Sequence, residues 1–240
     1  MDDDLTNFLE QRLEQLLRAQ RLGILPPGDD YEIARIGDTL ACRLPGMKEH
    51  MRVRVPRCVL LSALPGAGKT TLSMTLAAHG IVRLCPDEEM FRRHGQYGVD
   101  FPRGAFKVRE RPVLDDLAAE LHELLTAGKD IVFDHGLWTP EERLQWRTLV
   151  TEAGAEPLML YMPVPHHERW NRIKARNAKA HVDANSISFS EEDLLRYAGR
   201  FIPPVNGEPH VVYDGHPESV LRALGYDDTP AAAPRPRRAG

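Results

Sequence analysis

Residues 58–71 of this 240-residue chain, Cys58 to Thr71, have the sequence CVLLSALPGAGKTT. An apolar run passes into a glycine-rich turn that ends in Gly-Lys-Thr, which predicts a β-strand, a phosphate-binding loop and the start of a helix. Backbone N–H groups in such a loop point at phosphate oxygens, and the positive end of the following helix favours the same negative charge. The stretch therefore predicts nucleotide binding.

Individual residues of this loop have expected roles. Lys69 would reach the β- and γ-phosphates, and the hydroxyl of Thr70 would be a ligand of Mg²⁺. Gly66 and Gly68 let the backbone close around a phosphate. Ala63 occupies the position of the first glycine in the strict pattern G-x-x-x-x-G-K-[ST], which is a departure. The predicted nucleotide-binding residues are Pro65, Gly66, Ala67, Gly68, Lys69, Thr70 and Thr71.

The composition limits the classes of protein to which the chain can belong. With 42% hydrophobic and 28% charged residues, it is long enough for one well-buried α/β core with appendages. A net charge of -4 disfavours a broad nucleic-acid-binding surface and favours a small substrate. Three cysteines without metal-ligand spacing fit a reducing compartment. No apolar run could span a bilayer and no leader pattern is present, so we expect a cytoplasmic protein without a membrane partner.

Three regions are predicted along the chain. Residues 1–52 hold an amphipathic helix and a small hairpin, and the apolar stripe of the helix either docks on the domain's own core or forms a homodimer. Residues 53–226 alternate short apolar runs with helical patterns, which indicates a parallel sheet with crossover helices. Residues 227–240 are rich in Pro, Ala and Arg and predict a disordered tail.

The central region contains five predicted strands and five predicted helices between them. The strands are expected at residues 59–62, 81–84, 131–133, 158–161 and 211–213. The helices are expected at residues 69–79, 114–127, 140–153, 165–176 and 191–201. Thr139, Pro140 and Glu142 form a capping-box pattern at the start of the third helix, and Ser190 is a candidate cap for the last.

Polar residues that follow the parallel strands are candidates for chemistry, because ligands bind beyond the carboxyl ends of such strands. Asp87 follows the second strand, where a carboxylate could accept the proton of a hydroxyl that attacks the γ-phosphate. Alternatively, Asp87 caps a helix that begins at Glu88, and the local sequence does not choose between these roles. Asp134 ends the third strand in a Walker B arrangement that would hold Mg²⁺ directly or through water. His135 and Trp138 would line the same cleft, with packing favoured for Trp138.

Two arginines on the fourth predicted helix are further candidates. Arg172 and Arg176 are four residues apart and share a helix face. They would neutralise charge as a phosphoryl group moves, in the manner of an arginine finger supplied in cis, or they form a basic solvated face. Residues 178–188 lack a clear apolar period, which is typical of a mobile lid that excludes water.

These motifs together resemble the small P-loop kinases, and among them the AAA-type ATP-binding kinases related to chloramphenicol phosphotransferase, zeta toxins and polynucleotide 5′-kinases. The resemblance covers about residues 55–213. It rests on Leu64 to Thr71, Pro86 to Glu88, Val132 to Asp134, Glu142-Arg143 and Arg172 to Asn177. It implies an α/β, adenylate-kinase-like core with strand order 2-3-1-4-5 and phosphoryl transfer from ATP.

The resemblance also implies roles for single residues. Asp87 takes the position of the usual base, the paired arginines become lid residues, and Arg143 becomes a structural or a substrate contact. Polynucleotide kinases typically have an arginine three residues after this aspartate, where the present chain has Met90. That departure argues against activity on nucleic-acid 5′ ends.

Residues 91–112 are expected to cover the acceptor site, and their mixture of aromatic and cationic side chains includes Arg103 and Lys107. Such a mixture suits a polar small molecule with a ring or an anionic group, and equally a short nucleic-acid end.

The main hypothesis is therefore an ATP- and Mg²⁺-dependent kinase of a small-molecule hydroxyl, with antibiotics and nucleoside-like metabolites as candidate acceptors. The alternatives are a polynucleotide 5′-hydroxyl kinase and a nucleotide-dependent switch or ATPase module. The predicted catalytic residues are Asp87, Lys69, Arg172 and Arg176, the metal residues are Thr70 and Asp134, and the substrate residues are Asp87, His135, Arg143, Arg103 and Lys107.

Overall fold

We describe a computed structural model of the chain at residues 2–21, 36, 55–178, 189–205 and 207–226. The chain forms two compact units, Met1–Val55 and Pro56–Gly240. In the first unit, helix α1 (Asp2–Arg21) buries Leu13 and Leu16 in a small apolar cluster with Ile36. The predicted hairpin, the predicted tail and residues 179–188 of the predicted lid lie outside the described residues.

The second unit is built on a five-stranded parallel sheet. Its strands are β1 (Arg57–Ser62), β2 (Val82–Leu84), β3 (Ile131–Gly136), β4 (Glu156–Tyr161) and β5 (Val211–Val212). They lie side by side in the order β2-β3-β1-β4-β5, and each neighbouring pair is parallel. The five predicted strands and the strand order 2-3-1-4-5 are therefore confirmed.

Helices flank the sheet. They are α2 (Lys69–Ala78), α3 (Pro86–His94), α4 (Phe106–Thr126), α5 (Pro140–Glu152), α6 (His166–Asn177), α7 (Glu191–Ala198) and α8 (Pro217–Ala223). Complete capping boxes start α5 at Thr139 and α7 at Ser190, as the sequence predicted for the former. None of the described helices combines the length and apolar content that crossing a membrane requires.

Side chains on both faces of the central strand are buried in apolar layers. Cys58 and Leu60 of β1 pack in the layer that includes residues of α3, α4 and α5. Val59 and Leu61 pack in the opposite layer, which includes residues of α2 and α8. Because successive side chains of a strand point to opposite faces, a strand covered on both sides has a continuous apolar sequence. This explains the unbroken apolar run that precedes the phosphate loop.

Helix α4 begins at Phe106, whereas the sequence pattern predicted a start at residue 114. Pro112 lies within this helix and removes one backbone hydrogen bond. The turn before it is held by tertiary packing, because the Phe106 ring lies 5.0 Å from that of Tyr97 and 6.4 Å from that of Phe101. Residues 91–112, which are expected to cover the acceptor site, therefore contain the end of α3, a loop with a short 3₁₀ turn, and two turns of α4.

A bulge in β3 determines where two predicted site residues lie. The register between β1 and β3 shifts after Leu60, and Asp134 and His135 fill the shift. The bulge ends at Gly136, where a Cβ atom would lie only 2.7 Å from the carbonyl oxygen of Ala63. Glycine is thus required for this close approach, which holds the end of β3 against the phosphate loop.

Candidate active site

The loop between β1 and α2 turns on two glycines with left-handed backbone conformations. The φ angle is +81° at Gly66 and +101° at Gly68, and Gly68 is the N-cap of α2. Side-chain-bearing residues rarely adopt such angles. The first N–H groups of a helix have no partner within it, so this loop and the start of α2 offer donors and a positive dipole end to an anion.

We expect Gly66→Ala to damage both folding and nucleotide binding. A Cβ atom at Gly66 would lie 2.8 Å from the backbone carbonyl oxygen of Arg169, whereas one at Gly128, whose φ is +76°, would meet nothing within 4 Å. Gly128→Ala should therefore lower the free energy of unfolding by only about 1 to 2 kcal/mol, the strain of placing alanine in a left-handed conformation. Gly66→Ala should cost more and weaken nucleotide binding about tenfold or more. Urea unfolding and nucleotide titration would contradict this if both variants behaved alike.

Asp87 lies in the first turn of α3, directly beyond the end of β2. It does not cap this helix, because the N-cap is Cys85 and no side chain forms a capping hydrogen bond. Among the described residues, none forms a hydrogen bond or ion pair with the Asp87 carboxylate. The capping role left open by the sequence is therefore not realised, and the carboxylate remains available for chemistry.

Four charged residues act on one another across the cleft. Burial lowers the pKa of Lys69, and the carboxylates of Asp134 and Asp87 oppose this shift. Desolvation raises the pKa of Asp87, and Lys69 and Arg176 oppose that shift. Asp87 is exposed to solvent, but the nearby protein atoms displace enough water to disfavour its charged form. The fold thus gathers the loop lysine, the predicted base, the Walker B carboxylate and one predicted arginine.

The Asp134 carboxylate is held by a hydrogen-bond network on one of its oxygens. Oδ2 accepts from Ser73 Oγ at 2.7 Å and from Arg83 Nη2 at 2.6 Å and Nε at 3.0 Å. Arg83 also pairs with Glu88 at 2.6 Å. Oδ1 accepts no hydrogen bond from a described residue. Sequence reasoning missed Ser73 and Arg83, although Ser73 lies one helical turn after Thr70.

The residues present suit Mg²⁺. The candidate ligands, the Thr70 hydroxyl and the Asp134 carboxylate, supply the hard oxygen atoms that this ion prefers. Ser73 Oγ donates either to Asp134 or to the Thr70 carbonyl oxygen, at 3.1 Å, and so ties the two candidates together. The described residues contain no group of three or more His, Cys, Asp or Glu side chains that could hold a metal.

Helix α6 lies along the phosphate loop. Arg172 Nη1 is 3.3 Å from the carbonyl oxygens of both Gly66 and Ala67. Arg176 lies one turn further along the helix, and its positive charge lowers the pKa of both Lys69 and Asp87. The helix therefore places one predicted arginine on the loop backbone and the other near the cleft charges.

Residues 59–204 match the AAA domain family AAA_33. This chain belongs to that family. Its parallel sheet of order 2-3-1-4-5 and its glycine-rich loop before α2 are those of a P-loop kinase domain, which binds a nucleotide, typically with Mg²⁺. No curated protein sequence matches the chain significantly.

Several solved structures are similar to this AAA domain. A protein of Chloroflexus aurantiacus J-10-fl, provisionally described as a kinase, is 19% identical over 72% of this chain and 96% of its own, with a TM-score of 0.57. The APS kinase CysC of Mycobacterium tuberculosis, in complex with AMPPNP and APS, is 20% identical over 72% and 98%, with a TM-score of 0.47. The Pnkp1/Rnl/Hen1 RNA repair complex is 18% identical over 65% and 51%, with a TM-score of 0.46. The similarity to the Chloroflexus protein supports the fold and nothing further. The other two structures are too dissimilar for any conclusion about this chain.

Two titratable side chains of the AAA domain extend the cleft towards α4. His135 is partly buried. Desolvation and, to a smaller extent, the positive charge of Lys69 lower the pKa of His135 to about 4, so its imidazole is neutral at pH 7. Glu110 lies within residues 91–112 but is not among the predicted site residues. Desolvation and the nearby Asp87 raise the pKa of Glu110 to about 7, and Lys107 opposes this shift.

The pKa of Glu110 predicts a pH-dependent effect of Glu110→Gln. A carboxyl group with a raised folded-state pKa destabilises the fold as pH rises from its ordinary pKa of 4.5 to about 7. The variant should therefore match the wild type near pH 4 and become more stable by at most about 3 kcal/mol above pH 7. Urea unfolding at several pH values checks this, with Glu120→Gln on the same helix as control. A gain that is independent of pH would contradict it.

Arg143 does not contact the cleft, which corrects the predicted substrate role. Its side chain is fully buried, and Nε and Nη2 bind the Glu208 carboxylate at 2.5 and 2.9 Å. Nη1 donates to the carbonyl oxygen of Ile202 at 2.8 Å. The guanidinium therefore anchors Ile202 and Glu208 to α5, which is the structural alternative. Arg103 lies in a short 3₁₀ turn, Arg103–Ala105, and its side chain is outside the described residues.

Proposed function

We propose that this P-loop kinase domain transfers the γ-phosphate of ATP to a hydroxyl group of a small molecule, with Asp87 as the general base. One observation carries the proposal. The Asp87 carboxylate, which bonds to no described residue, shares its surroundings with Lys69 of the phosphate loop and with Arg176. A base beside phosphate-binding cations is the arrangement that transfer to a hydroxyl requires.

The proposed reaction is a single displacement. Asp87 accepts the proton of the acceptor hydroxyl while its oxygen bonds to the γ-phosphorus, and the bond to the β–γ bridging oxygen breaks to release ADP. Lys69 and Arg176 would stabilise the negative charge on the transferred group, and Arg172 would do so from the phosphate-loop side. The raised pKa of Asp87 makes its carboxylate a stronger base than an aspartate with the ordinary pKa.

Thr70 and Asp134 would hold Mg²⁺ in this proposal, either directly or through water. The ion would neutralise charge on the β- and γ-phosphates when bound. Arg83 and Ser73 keep the Asp134 carboxylate in one orientation, since both occupy its Oδ2 atom. These contacts pre-organise the carboxylate before any ligand is present.

The side chains on the acceptor side of the cleft favour a small polar molecule as the acceptor. Neutral His135 carries one donor and one acceptor nitrogen, and α4 adds the Glu110 carboxyl group and the Lys107 ammonium group. Several cations of residues 91–112, a type of side chain that binds nucleic-acid phosphates, instead pair with acids on the same helix or a neighbouring one. They are Arg92, Arg93 and Arg111, which pair with Glu89, Asp116 and Asp115. The polynucleotide and switch alternatives remain outcomes of the test.

The test incubates the full chain with Mg²⁺-ATP and a panel of acceptors, measures ADP release and identifies products by mass. The panel contains nucleosides, nucleotide sugars, aminoglycoside- and chloramphenicol-like antibiotics and 5′-hydroxyl oligonucleotides. A monophosphorylated small molecule would support the proposal. Phosphate on oligonucleotide ends alone would favour the polynucleotide kinase, and slow ADP release that no acceptor accelerates would favour the switch or ATPase module.

A further inference from the structure

A row of three aromatic side chains connects the phosphate loop to Arg176. Trp138 Nε1 donates to the carbonyl oxygen of Ala63 at 3.1 Å. The Trp138 ring lies 5.3 Å from the Tyr197 ring, which meets the Phe189 ring edge-on at 5.7 Å. The guanidinium carbon of Arg176 lies 5.6 Å from the centre of the Phe189 ring. We name Trp138, Tyr197 and Phe189 the aromatic strut.

Both ends of the aromatic strut are anchored in the backbone. A Cβ atom at Gly136 would lie 2.7 Å from Trp138 Nε1, so the indole packs directly on the end of β3. The backbone N–H of Ile202 donates to the Trp138 carbonyl oxygen at 2.9 Å. At the other end, Asn177 Nδ2 donates to the Phe189 carbonyl oxygen at 2.9 Å. The rings thus form a connection between two fixed points rather than a chance row of contacts.

We infer that the aromatic strut positions Arg176 over the phosphate-binding cleft, which makes Phe189 and Tyr197 positioning residues for phosphoryl transfer. A long arginine side chain loses much rotamer freedom when it is ordered, and a ring face that already holds the guanidinium reduces this loss on ligand binding. The positive charge of Arg176 lowers the pKa of both Lys69 and Asp87. In the proposed function, the transferred phosphate would lie beside these two residues. The inference rests on the nucleotide-binding part of the proposed function.

The test compares the affinities of the full chain for Mg²⁺-AMPPNP and Mg²⁺-ADP by titration calorimetry, because only AMPPNP carries a γ-phosphate. Phe189→Leu is expected to weaken AMPPNP relative to ADP about 3- to 10-fold, the range for loss of a cation–π contact. Phe189→Tyr retains the ring and should therefore retain the wild-type ratio of AMPPNP affinity to ADP affinity. Tyr197→Leu, which removes the middle ring, should lower the ratio by a smaller factor.

Trp170→Leu is the matched control. It removes a ring whose centre lies 5.5 Å from Lys174 Nζ on the same helix as Arg176, outside the strut, and should leave the ratio unchanged. Thermal unfolding of each variant shows whether the chain is folded at the temperature of the titration. A drop of the ratio in Trp170→Leu equal to that in Phe189→Leu would overturn the inference, because it would indicate a general effect of ring loss.

A double-mutant cycle separates positioning from a structural role. Arg176→Ala should lower the AMPPNP to ADP ratio, and Phe189→Leu added to it should have no further effect. An equal effect of Phe189→Leu with and without Arg176 would overturn the inference. Failure of the proposed function would appear differently, as a wild-type chain that binds nucleotides but phosphorylates no acceptor, and the cycle would still decide the role of the strut. A wild-type chain that binds no nucleotide would overturn both.

Discussion

Asp87→Asn is expected to lower the rate of phosphoryl transfer about 10²- to 10⁴-fold while ATP still binds. Asparagine has nearly the same shape but cannot accept the hydroxyl proton. The carboxylate bonds to no described residue, so its loss should leave the fold intact. The measurement is the rate of product formation at saturating Mg²⁺-ATP, with nucleotide affinity determined separately.

Glu89→Gln is the control for the loss of one negative charge in the first turn of α3. Glu89 pairs with Arg92 and Arg93, and its charge is not among the main influences on the pKa of Lys69 or Asp87. The control should therefore keep transfer within a few-fold of the wild type. Near-normal transfer by Asp87→Asn would contradict the assignment of the base. An equal loss in both variants would point to the helix rather than to proton transfer.

Glu208→Ala is expected to destabilise the fold by about 3 kcal/mol, because it leaves a guanidinium buried without its carboxylate. Arg143 is completely buried, and two of its nitrogen atoms bind Glu208. The hydrogen bond from Arg143 holds the pKa of Glu208 below its usual value. The stabilisation is therefore present above the ordinary pKa of 4.5 and is lost as pH falls, so urea unfolding near pH 7 should show the full difference.

Two further variants test the cause of this destabilisation. Asp115→Ala removes an exposed ion pair with Arg111 and should cost less than about 1 kcal/mol. Replacing both partners, with Arg143→Met and Glu208→Leu in one chain, should recover much of the lost stability because no charge is left buried. A double variant that is as unstable as Glu208→Ala would show that packing rather than the charge accounts for the effect.

The parts of the site predicted correctly from the sequence depend on local geometry. Consecutive residues around Gly66 and Gly68 fix the turn that precedes α2, so their spacing is enough to recognise the loop. The capping box at Thr139 is likewise a contact between residues three positions apart. Tertiary packing is not needed to read such features, because the partner groups are neighbours along the chain.

Features that were missed depend on partners that are distant in the chain. Arg83 reaches Asp134 because β2 and β3 are adjacent in the sheet. The start of α4 extends past Pro112 because the Phe106 ring packs on rings outside the helix. No periodicity in the sequence records either contact, so the patterns alone could not show them.

The sequence by itself determined the nucleotide-binding loop, the five parallel strands and, through its resemblance to a known family, the strand order. The loop and the strands could be predicted because turn geometry and apolar runs are set by residues close along the chain. Only the tertiary structure decided that Asp87 is not a helix cap, that Arg143 is buried against Glu208 and that an aromatic strut meets Arg176. Each of these outcomes depends on which side chains the sheet and its crossovers bring together, and burial and charge then act across that distance.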